Sequence, residues 1–235
     1  MLCGVQPHQQ NNLCAACMID IPWSKNACRQ CAEYIESITL DGSLLCTNCL
    51  KQSPPYSRTV CAFDYIGPIK GLMNQFKHQH NLAAGSLLTA CLSKTISKAI
   101  ALGQITIPQL VIPVPLHRRR LRQRGFNQAQ FIATGLGQSL NLNVNSQLCH
   151  RSGHQAPQQG QSRQHRLAQM SGVFQITEAG VDGRIESIAI IDDVMTTGAT
   201  AQALSKTLIN AWDGPLDIQV WCVARAQPPN VWPEW

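Results

Sequence analysis

Residues 188–201 read IAIIDDVMTTGATA, and this stretch decides the fold class. Residues 188–191 are apolar and mostly β-branched, which is typical of a strand buried on both faces. Residues 200–210 then place apolar side chains at helical spacing. A buried strand followed by a helix predicts an open α/β sheet, in which ligands bind at the carboxyl ends of the strands. We therefore expect the functional site to lie between these two elements.

The connection between them combines a phosphate site with a diol site. Its hydroxyl and backbone N–H groups, together with a glycine that tolerates positive φ, can surround a phosphate: Thr196, Thr197, Gly198, Ala199 and Thr200. We call these five residues the phosphate loop. The acidic pair before it, Asp192 and Asp193, would repel a phosphate but accept hydrogen bonds from hydroxyl groups. The pattern predicts a sugar 5-phosphate as ligand; the alternative is a capped helix beside acids that face solvent.

Composition limits the class of protein. A chain of 235 residues with 44% hydrophobic residues is long enough for one globular core and a small appendage. It contains no run of about 18 apolar residues, and residues 1–8 lack the charged and apolar regions of a signal peptide. We expect a cytoplasmic protein with no membrane span, in which the 11 cysteines are metal ligands and free thiols rather than disulfides.

The charge of the chain is unevenly distributed. Residues 65–177 contain no Asp or Glu but hold 12 of the 19 Lys and Arg residues, whereas residues 178–235 hold eight acids and three bases. The middle of the chain should therefore attract polyanions. Nucleic acid and a pyrophosphorylated sugar both fit this description, so charge alone does not choose between them.

Three Cys-x-x-Cys pairs lie in the first fifty residues. The pairs Cys28/Cys31 and Cys46/Cys49 are separated by 14 residues, a spacing typical of a tetrahedral zinc site. With four thiolates and no open position, this site should be structural.

The first pair, Cys14 and Cys17, needs other partners for a second zinc site, and Cys3 and His8 are the nearest candidates. The alternatives are an incomplete site that binds nothing, or a pairing of Cys14 and Cys17 with one of the later pairs. Two prolines at positions 54 and 55 mark the expected boundary between a cysteine-rich domain (residues 1–53) and a larger domain (residues 54–235).

Two further stretches carry candidate anion ligands. Residues 109–115 read as a strand running into a stiff turn, and five arginines follow within residues 118–124, in what we expect to be a loop. These arginines form either a solvated basic face or a clamp for an oxyanion at the same sheet edge as the acidic pair. Residues 150–171 are polar and glutamine-rich, which predicts disorder or a mobile lid that closes on an anion through its only cations, Arg151, Arg163 and Arg166.

These motifs together resemble one family. Residues 188–201 are similar to the phosphoribosyl pyrophosphate (PRPP) signature of type I phosphoribosyltransferases, with large apolar residues and two acids before a Thr/Gly-rich loop. The cysteine pairs, VIPVPLH at residues 111–117 and RGFNQ at residues 124–128 extend the likeness over essentially the whole chain to the ComF/GntX family. Its members are phosphoribosyltransferase-like proteins with an amino-terminal zinc-binding segment, and some are linked to DNA uptake in natural transformation.

The resemblance implies a fold and a reaction. The fold is an α/β type I phosphoribosyltransferase-like parallel sheet flanked by helices, with a small amino-terminal zinc-binding domain. The reaction is transfer of a phosphoribosyl group from PRPP, bound with Mg²⁺, to a nitrogen acceptor such as a nucleobase, with release of pyrophosphate. The rival hypothesis is a DNA-uptake accessory protein that binds PRPP or a nucleotide only as a signal and contacts single-stranded DNA or protein partners.

The resemblance also assigns residues by position. The acidic pair would hold the ribose and the phosphate loop its 5-phosphate, while the pyrophosphate would contact Pro115, Leu116, His117 and Arg118. The residues assigned to catalysis are Asp192, Asp193, Arg151 and Arg163. The chain departs from the family where Gln155 and Gln169 stand in place of a common Thr and Asn, and where Cys3 alone remains of a cysteine pair.

Overall fold

The computed structural model describes residues 13–36, 44–152, 172–177 and 184–228. The helices within these stretches are α1 (Ala15–Asp20), α2 (Thr47–Lys51), α3 (Gly67–His78), α4 (Leu82–Ala101), α5 (Arg118–Arg124), α6 (Gln128–Leu140) and α7 (Ala199–Ala211). The strands are β1 (Arg58–Asp64), β2 (Leu110–Pro113), β3 (Cys149–Arg151), β4 (Phe174–Ile176), β5 (Ser187–Met195) and β6 (Asp217–Arg225). Among the helices of these stretches, none has both the length and the apolar character needed to cross a membrane.

Four strands form a parallel sheet in the order β1, β6, β5, β2. Ile190 in β5 lies level with Val220 in β6 and with Ile112 in β2, so the carboxyl ends of these strands point the same way. This confirms the predicted α/β class with a parallel sheet flanked by helices. Because β5 lies between β6 and β2, the residues that follow it have neighbours on both sides.

The alternation of side chains along β5 explains why residues 188–191 are all apolar. Ala189 and Ile191 pack on the face covered by α3, α4 and α6, whereas Ile188 and Ile190 pack on the face covered by α7 and the antiparallel pair β3–β4. All four side chains are fully buried. A strand covered on both faces has no solvent-exposed position, so polar residues are excluded until the strand leaves the core.

Local capping fixes where two of these helices begin. Asn81 accepts a hydrogen bond from the backbone N–H of Ala84 at the start of α4, and Asn127 accepts one from Ala129 at the start of α6. Asn127 also donates to the carbonyl of Val114 at 3.0 Å, which ties the first turn of α6 to the segment that follows β2. The amino end of α6 is thereby held at the carboxyl edge of the sheet.

The segment before the predicted boundary packs on the same core as the sheet. Leu13, Cys17 and Ile21 belong to the hydrophobic cluster of α3 and α4. The ring of Trp23 lies 4.7 Å from that of Phe63 in β1. The division into residues 1–53 and 54–235 stays a prediction.

Candidate functional site

The acidic pair lies near the carboxyl end of β5, where the strand leaves the core. Both side chains are half-buried. The backbone N–H of Asp193 donates to Asp192 Oδ1 at 2.8 Å, and that of Val194 donates to Asp193 Oδ1 at 2.6 Å. Each carboxylate therefore has one oxygen held by the backbone and a second oxygen that can contact another partner.

The environment of Asp192 disfavours its charged form. Burial is the largest cause and the adjacent Asp193 carboxylate the second, and together they raise the pKa of Asp192 to about 7. The backbone hydrogen bond from Asp193 and the positive charges of Lys77 and Arg151 oppose this shift. A carboxyl group that titrates near neutral pH at a strand end is a feature of functional sites, since burial without compensation costs stability.

Asp193 has a partner that sequence reasoning missed. Lys77 Nζ, in the last turn of α3, lies 2.9 Å from Asp193 Oδ2, and both side chains are mostly shielded from solvent. The two residues are more than a hundred positions apart, and Lys77 is one of several lysines on the polar faces of α3 and α4. No local pattern distinguishes it, because its role arises from the packing of α3 against the sheet.

The phosphate loop leads directly into α7. Gly198 has φ of +76°, and a Cβ at this position would lie 3.2 Å from Tyr56 Oη, so both backbone conformation and space favour glycine. Thr197 Oγ1 accepts a hydrogen bond from the backbone N–H of Ala199 at 3.4 Å, but Gly198, the N-cap, provides no side-chain cap to α7. The first turn of α7 thus retains N–H groups that can bind an anion. Thr196 is exposed, whereas Thr200 lines the cavity described below.

The arginine-rich residues 118–124 form the short helix α5, and the expectation of a loop was wrong. His117 caps this helix by accepting a hydrogen bond on Nδ1 from the N–H of Arg119 at 3.1 Å. Helical spacing places the arginines on different faces of α5. Arg118 and Arg119 are exposed. Arg120 and Arg124, four residues apart, share a face and line a cavity with the acidic pair.

One cavity of about 190 Å³ joins these elements at the carboxyl edge of the sheet. Its lining includes both members of the acidic pair, Thr200, and Pro115 and Leu116 after β2. Two helices and one strand supply its cations: Lys77 of α3, Arg120 and Arg124 of α5, and Arg151 of β3. An adjoining cavity of about 250 Å³ shares three of these cations, so the cationic recess extends beyond the acidic pair. Several of the predicted ligands do not line the 190 Å³ cavity: His117, Arg118, Thr196, Thr197, Gly198 and Ala199.

Gln128, in the first turn of α6, adds an unsatisfied donor to this cavity. The residue is 1% exposed, and its Oε1 accepts a hydrogen bond from Arg124 Nη1 at 3.1 Å. Its Nε2 is buried and has no hydrogen-bond partner in the described part of the chain. Since a buried donor without a partner costs free energy, a ligand oxygen in the cavity would relieve that cost.

Arg151 lies at the end of β3, so the first residues of the predicted lid belong to a strand. Its guanidinium lies 5.6 Å from the ring centroid of Phe174 in β4. Burial lowers the pKa of Arg151, the charge of Arg120 adds to this effect, and the charge of Asp192 opposes it. Arg151 therefore belongs electrostatically to the cavity, while Arg163 and the rest of the predicted lid, residues 153–171, lie outside the described residues.

The second candidate site is the cysteine cluster, formed by Cys28, Cys31, Cys46 and Cys49. All four sulfur atoms lie within 4.8 Å of one another, and all four side chains are buried. A hydrogen bond from the Cys31 thiol is the largest of several that lower the pKa of Cys28, whereas hydrogen bonding to Cys28 raises that of Cys49. Thiols this close together compete for the same protons, and a divalent cation bound by thiolates would replace those protons.

Four converging sulfur ligands fit Zn²⁺, which prefers tetrahedral thiolate sites. Such an ion would hold the two Cys-x-x-Cys pairs together, and in the described part of the chain the partly buried apolar side chains that pack against them are Ile35 and Leu45. Cys14 and Cys17 do not join this cluster, which excludes the alternative pairing with the later cysteines. Their other candidate partners, Cys3 and His8, lie outside the described residues.

Comparison with known proteins places the chain among curated relatives. No family model matches it. Competence protein F of Haemophilus influenzae is 31% identical over 217 residues, which cover 92% of each chain. DNA utilization protein YhgH of Escherichia coli K12 is 30% identical over 213 residues, or 91% of this chain and 90% of that protein. Among solved structures, an adenine phosphoribosyltransferase aligns with 63% of this chain and 73% of its own, at 14% identity and a TM-score of 0.35.

Proposed function

The chain belongs to the competence protein F family, and on that premise we propose that it binds PRPP at the 190 Å³ cavity. In this proposal the chain transfers the phosphoribosyl group to a nitrogen acceptor, such as a nucleobase, and releases pyrophosphate. The names of its relatives support a role in DNA uptake or DNA utilization. The observation that carries the proposal is the convergence of the acidic pair, Thr200 in the first turn of α7 and four cations on one cavity.

Each part of PRPP has a chemically matched partner in this arrangement. The oxygens of the acidic pair that the backbone does not hold would accept hydrogen bonds from the ribose hydroxyls, and Asp193 Oδ2 would do so beside its ion pair with Lys77. The N–H groups at the amino end of α7 would bind the 5-phosphate. Lys77, Arg120, Arg124 and the Nε2 of Gln128 would bind the pyrophosphate, whose oxygens only accept hydrogen bonds.

Asp192 and Asp193 also present the hard oxygen ligands that Mg²⁺ prefers. Bound with PRPP, the ion would supply positive charge that offsets the charge of pyrophosphate as it leaves. The chain's own contribution is to orient the ribose, to bind both phosphate-bearing ends and to stabilise charge on the leaving group. Such a reaction depends on positioning and electrostatics and needs no nucleophile from the protein.

Calorimetric titration of the zinc-replete protein with PRPP and Mg²⁺ tests the proposal. We expect binding in the wild type and its loss in Asp192→Asn/Asp193→Asn. A matched control is Glu186→Gln, which removes an exposed acid just before β5. Binding should be followed by screening of nucleobases for pyrophosphate release. Absence of heat in a folded wild type, or equal affinity in the double variant, would contradict PRPP binding at this site.

The second candidate function, a non-catalytic DNA-uptake accessory protein, is supported by basic surfaces away from the acidic pair. A cleft of about 470 Å³ between the cysteine cluster, β1 and α4 is lined by Arg29, Arg58 and Lys98, and none of the described residues that line it is acidic. The exposed arginines of α5 offer a further cationic face. Both surfaces suit a phosphodiester backbone, whose binding weakens steeply with salt.

Titration with a single-stranded oligonucleotide at several salt concentrations tests this function. Neutralising Arg118 to Arg120 should weaken a salt-sensitive affinity, while Asp193→Ala should leave it unchanged and abolish PRPP binding. Arg120 also lines the cavity, so the pair Arg118→Gln/Arg119→Gln separates the exposed face from the PRPP site. An affinity that ignores both salt and these substitutions would contradict the accessory function.

A further inference from the structure

Arg225, the last residue of β6, is a buried cation outside the cavity. Its side chain is almost fully shielded from solvent. Its guanidinium contacts two separate parts of the molecule at once, as Nε donates to the carbonyl of Cys31 at 2.8 Å and Nη1 donates to that of Met195 at 3.2 Å. Cys31 is a member of the cysteine cluster, and Met195 is the residue immediately before the phosphate loop.

The rest of the surroundings hold this guanidinium in one geometry. Nη1 also donates to the carbonyl of Ala226 at 2.7 Å, and the Ala226 N–H donates to Met195 at 2.9 Å. Glu33, two residues after Cys31, offsets the charge with an oxygen 3.6 Å from Nη2. A planar guanidinium can bridge two carbonyls in fixed directions, whereas a lysine ammonium cannot reproduce that fork.

A parallel contact joins the same two regions. Gln227 donates from Nε2 to the carbonyl of Ala32 at 3.3 Å and accepts on Oε1 from the N–H of Tyr34 at 2.9 Å. The segment that contains Cys31 is thus attached to the end of β6 through Arg225, the last residue of the strand, and through Gln227, two residues later. Only Arg225, of these two, also reaches β5.

We propose that Arg225 is a positioning residue that couples the cysteine cluster to the phosphate loop, so that metal in the cluster and an anion on the loop stabilise each other's binding. The anion as PRPP rests on the proposed function, but the coupling is a property of the protein alone. The physical route is short: the metal fixes the Cys31 carbonyl, the carbonyl fixes the guanidinium, and the guanidinium fixes Met195. Removal of the metal would free the Cys31 carbonyl.

Amide hydrogen exchange of residues 195–200, followed by mass spectrometry, tests the coupling without PRPP. We expect zinc to slow exchange there about 5- to 150-fold in the wild type, the range of typical coupling between sites. Exchange in α6, which contacts neither carbonyl, should stay unchanged. Equal exchange at residues 195–200 with and without zinc, or an equal change in α6, overturns the proposal.

Arg225→Lys identifies the route, with Arg122→Lys on the exposed face of α5 as the matched control. Arg225→Lys should retain zinc, measured by metal analysis, but lose the zinc-dependent slowing, whereas the control should keep it. If Arg225→Lys fails to fold, Glu33→Gln, which removes only the charge partner, should reduce the effect in the same direction. Full slowing in a folded Arg225→Lys or in Glu33→Gln overturns the role of Arg225.

PRPP then separates the two proposals. In the wild type, PRPP should increase the affinity of the cluster for zinc, measured by competition with a chromophoric chelator, because coupling between binding sites is reciprocal. If PRPP does not bind while zinc still slows exchange at residues 195–200, the proposed function fails and the coupling stands. If PRPP binds but changes the zinc affinity of neither the wild type nor Arg225→Lys, the coupling fails and the proposed function stands.

Discussion

Replacing Asp192 with asparagine should stabilise the protein at neutral and alkaline pH. Its pKa of about 7 in the folded state lies above the ordinary value of 3.8. Between these values the folded protein retains a proton that the unfolded chain has released, so stability falls as the pH rises through this window. Asparagine keeps an Oδ1 that can accept the hydrogen bond from Asp193 and removes the charge that burial disfavours.

The size of the effect follows from the two pKa values. A gap of about 3 pH units, at about 1.4 kcal/mol for each unit, gives an upper bound of about 4 kcal/mol. Because the side chain is only half-buried, solvent reduces this penalty. We expect the free energy of unfolding of Asp192→Asn to exceed that of the wild type by about 2–4 kcal/mol at pH 8. About 1 kcal/mol of this difference should develop between pH 6 and pH 8.

Urea denaturation at pH 6, 7 and 8, in zinc-containing buffer without Mg²⁺ or PRPP, measures this difference. Glu186→Gln, at an exposed position, should follow the wild type at every pH. The same Asp192→Asn protein should lose PRPP binding, so stability and ligand affinity should change in opposite directions. A variant that is less stable than the wild type at pH 8, or whose advantage does not grow with pH, would refute the reasoning.

Three further predictions address the metal, the cavity and the core. Removing zinc with a chelator should lower the melting temperature, because the cysteine cluster has few apolar neighbours among the described residues; unchanged calorimetric melting would contradict a structural metal. Gln128→Glu should keep its hydrogen bond with Arg124 yet weaken PRPP binding at least about tenfold by adding a charge next to pyrophosphate, and calorimetry showing equal affinity would exclude contact with the ligand. Gly85→Ala would place a Cβ in steric conflict with the buried Phe76 ring and should cost about 1–3 kcal/mol in urea denaturation. Its control, Gly71→Ala, meets no atom within 4 Å and should be neutral or stabilising.

Sequence predicted the elements whose apolar residues alternate or repeat over a long stretch. Apolar residues recur at helical spacing over residues 82–101, which predicts a helix with the bounds of α4, and most of these apolar residues are buried in the core. The helix at residues 118–124 was missed for a physical reason. None of its residues is buried, so its sequence has no apolar residues that recur at helical spacing. Five arginines in seven positions are also typical of a solvated loop.

The residues of the candidate site likewise include some that a local sequence pattern predicts and others that only tertiary packing brings together. The acidic pair and the phosphate loop are local, because one strand, one turn and one helix present them together. Lys77 and Gln128 enter through tertiary packing, so their identity as cavity residues depends on where α3 and α6 lie against the sheet. Arg120 and Arg124 fall between these cases, since their common face follows from i, i+4 spacing once a helix is recognised.

The residues around the 190 Å³ cavity share an energetic property that argues for a ligand. Burial raises the pKa of Asp192, Nε2 of Gln128 lacks an acceptor, and the N-cap of α7 provides no side-chain hydrogen bond. Each of these features costs the isolated protein stability, and each would be relieved by a bound molecule with hydroxyl groups, anionic oxygens and an associated cation. A purely structural role would leave these costs in one place, with partial compensation at Asp192 from Lys77 and Arg151. A bound ligand would remove these costs, and the free energy regained would add to its affinity. A ligand of this chemistry should therefore raise the melting temperature as its concentration exceeds its dissociation constant.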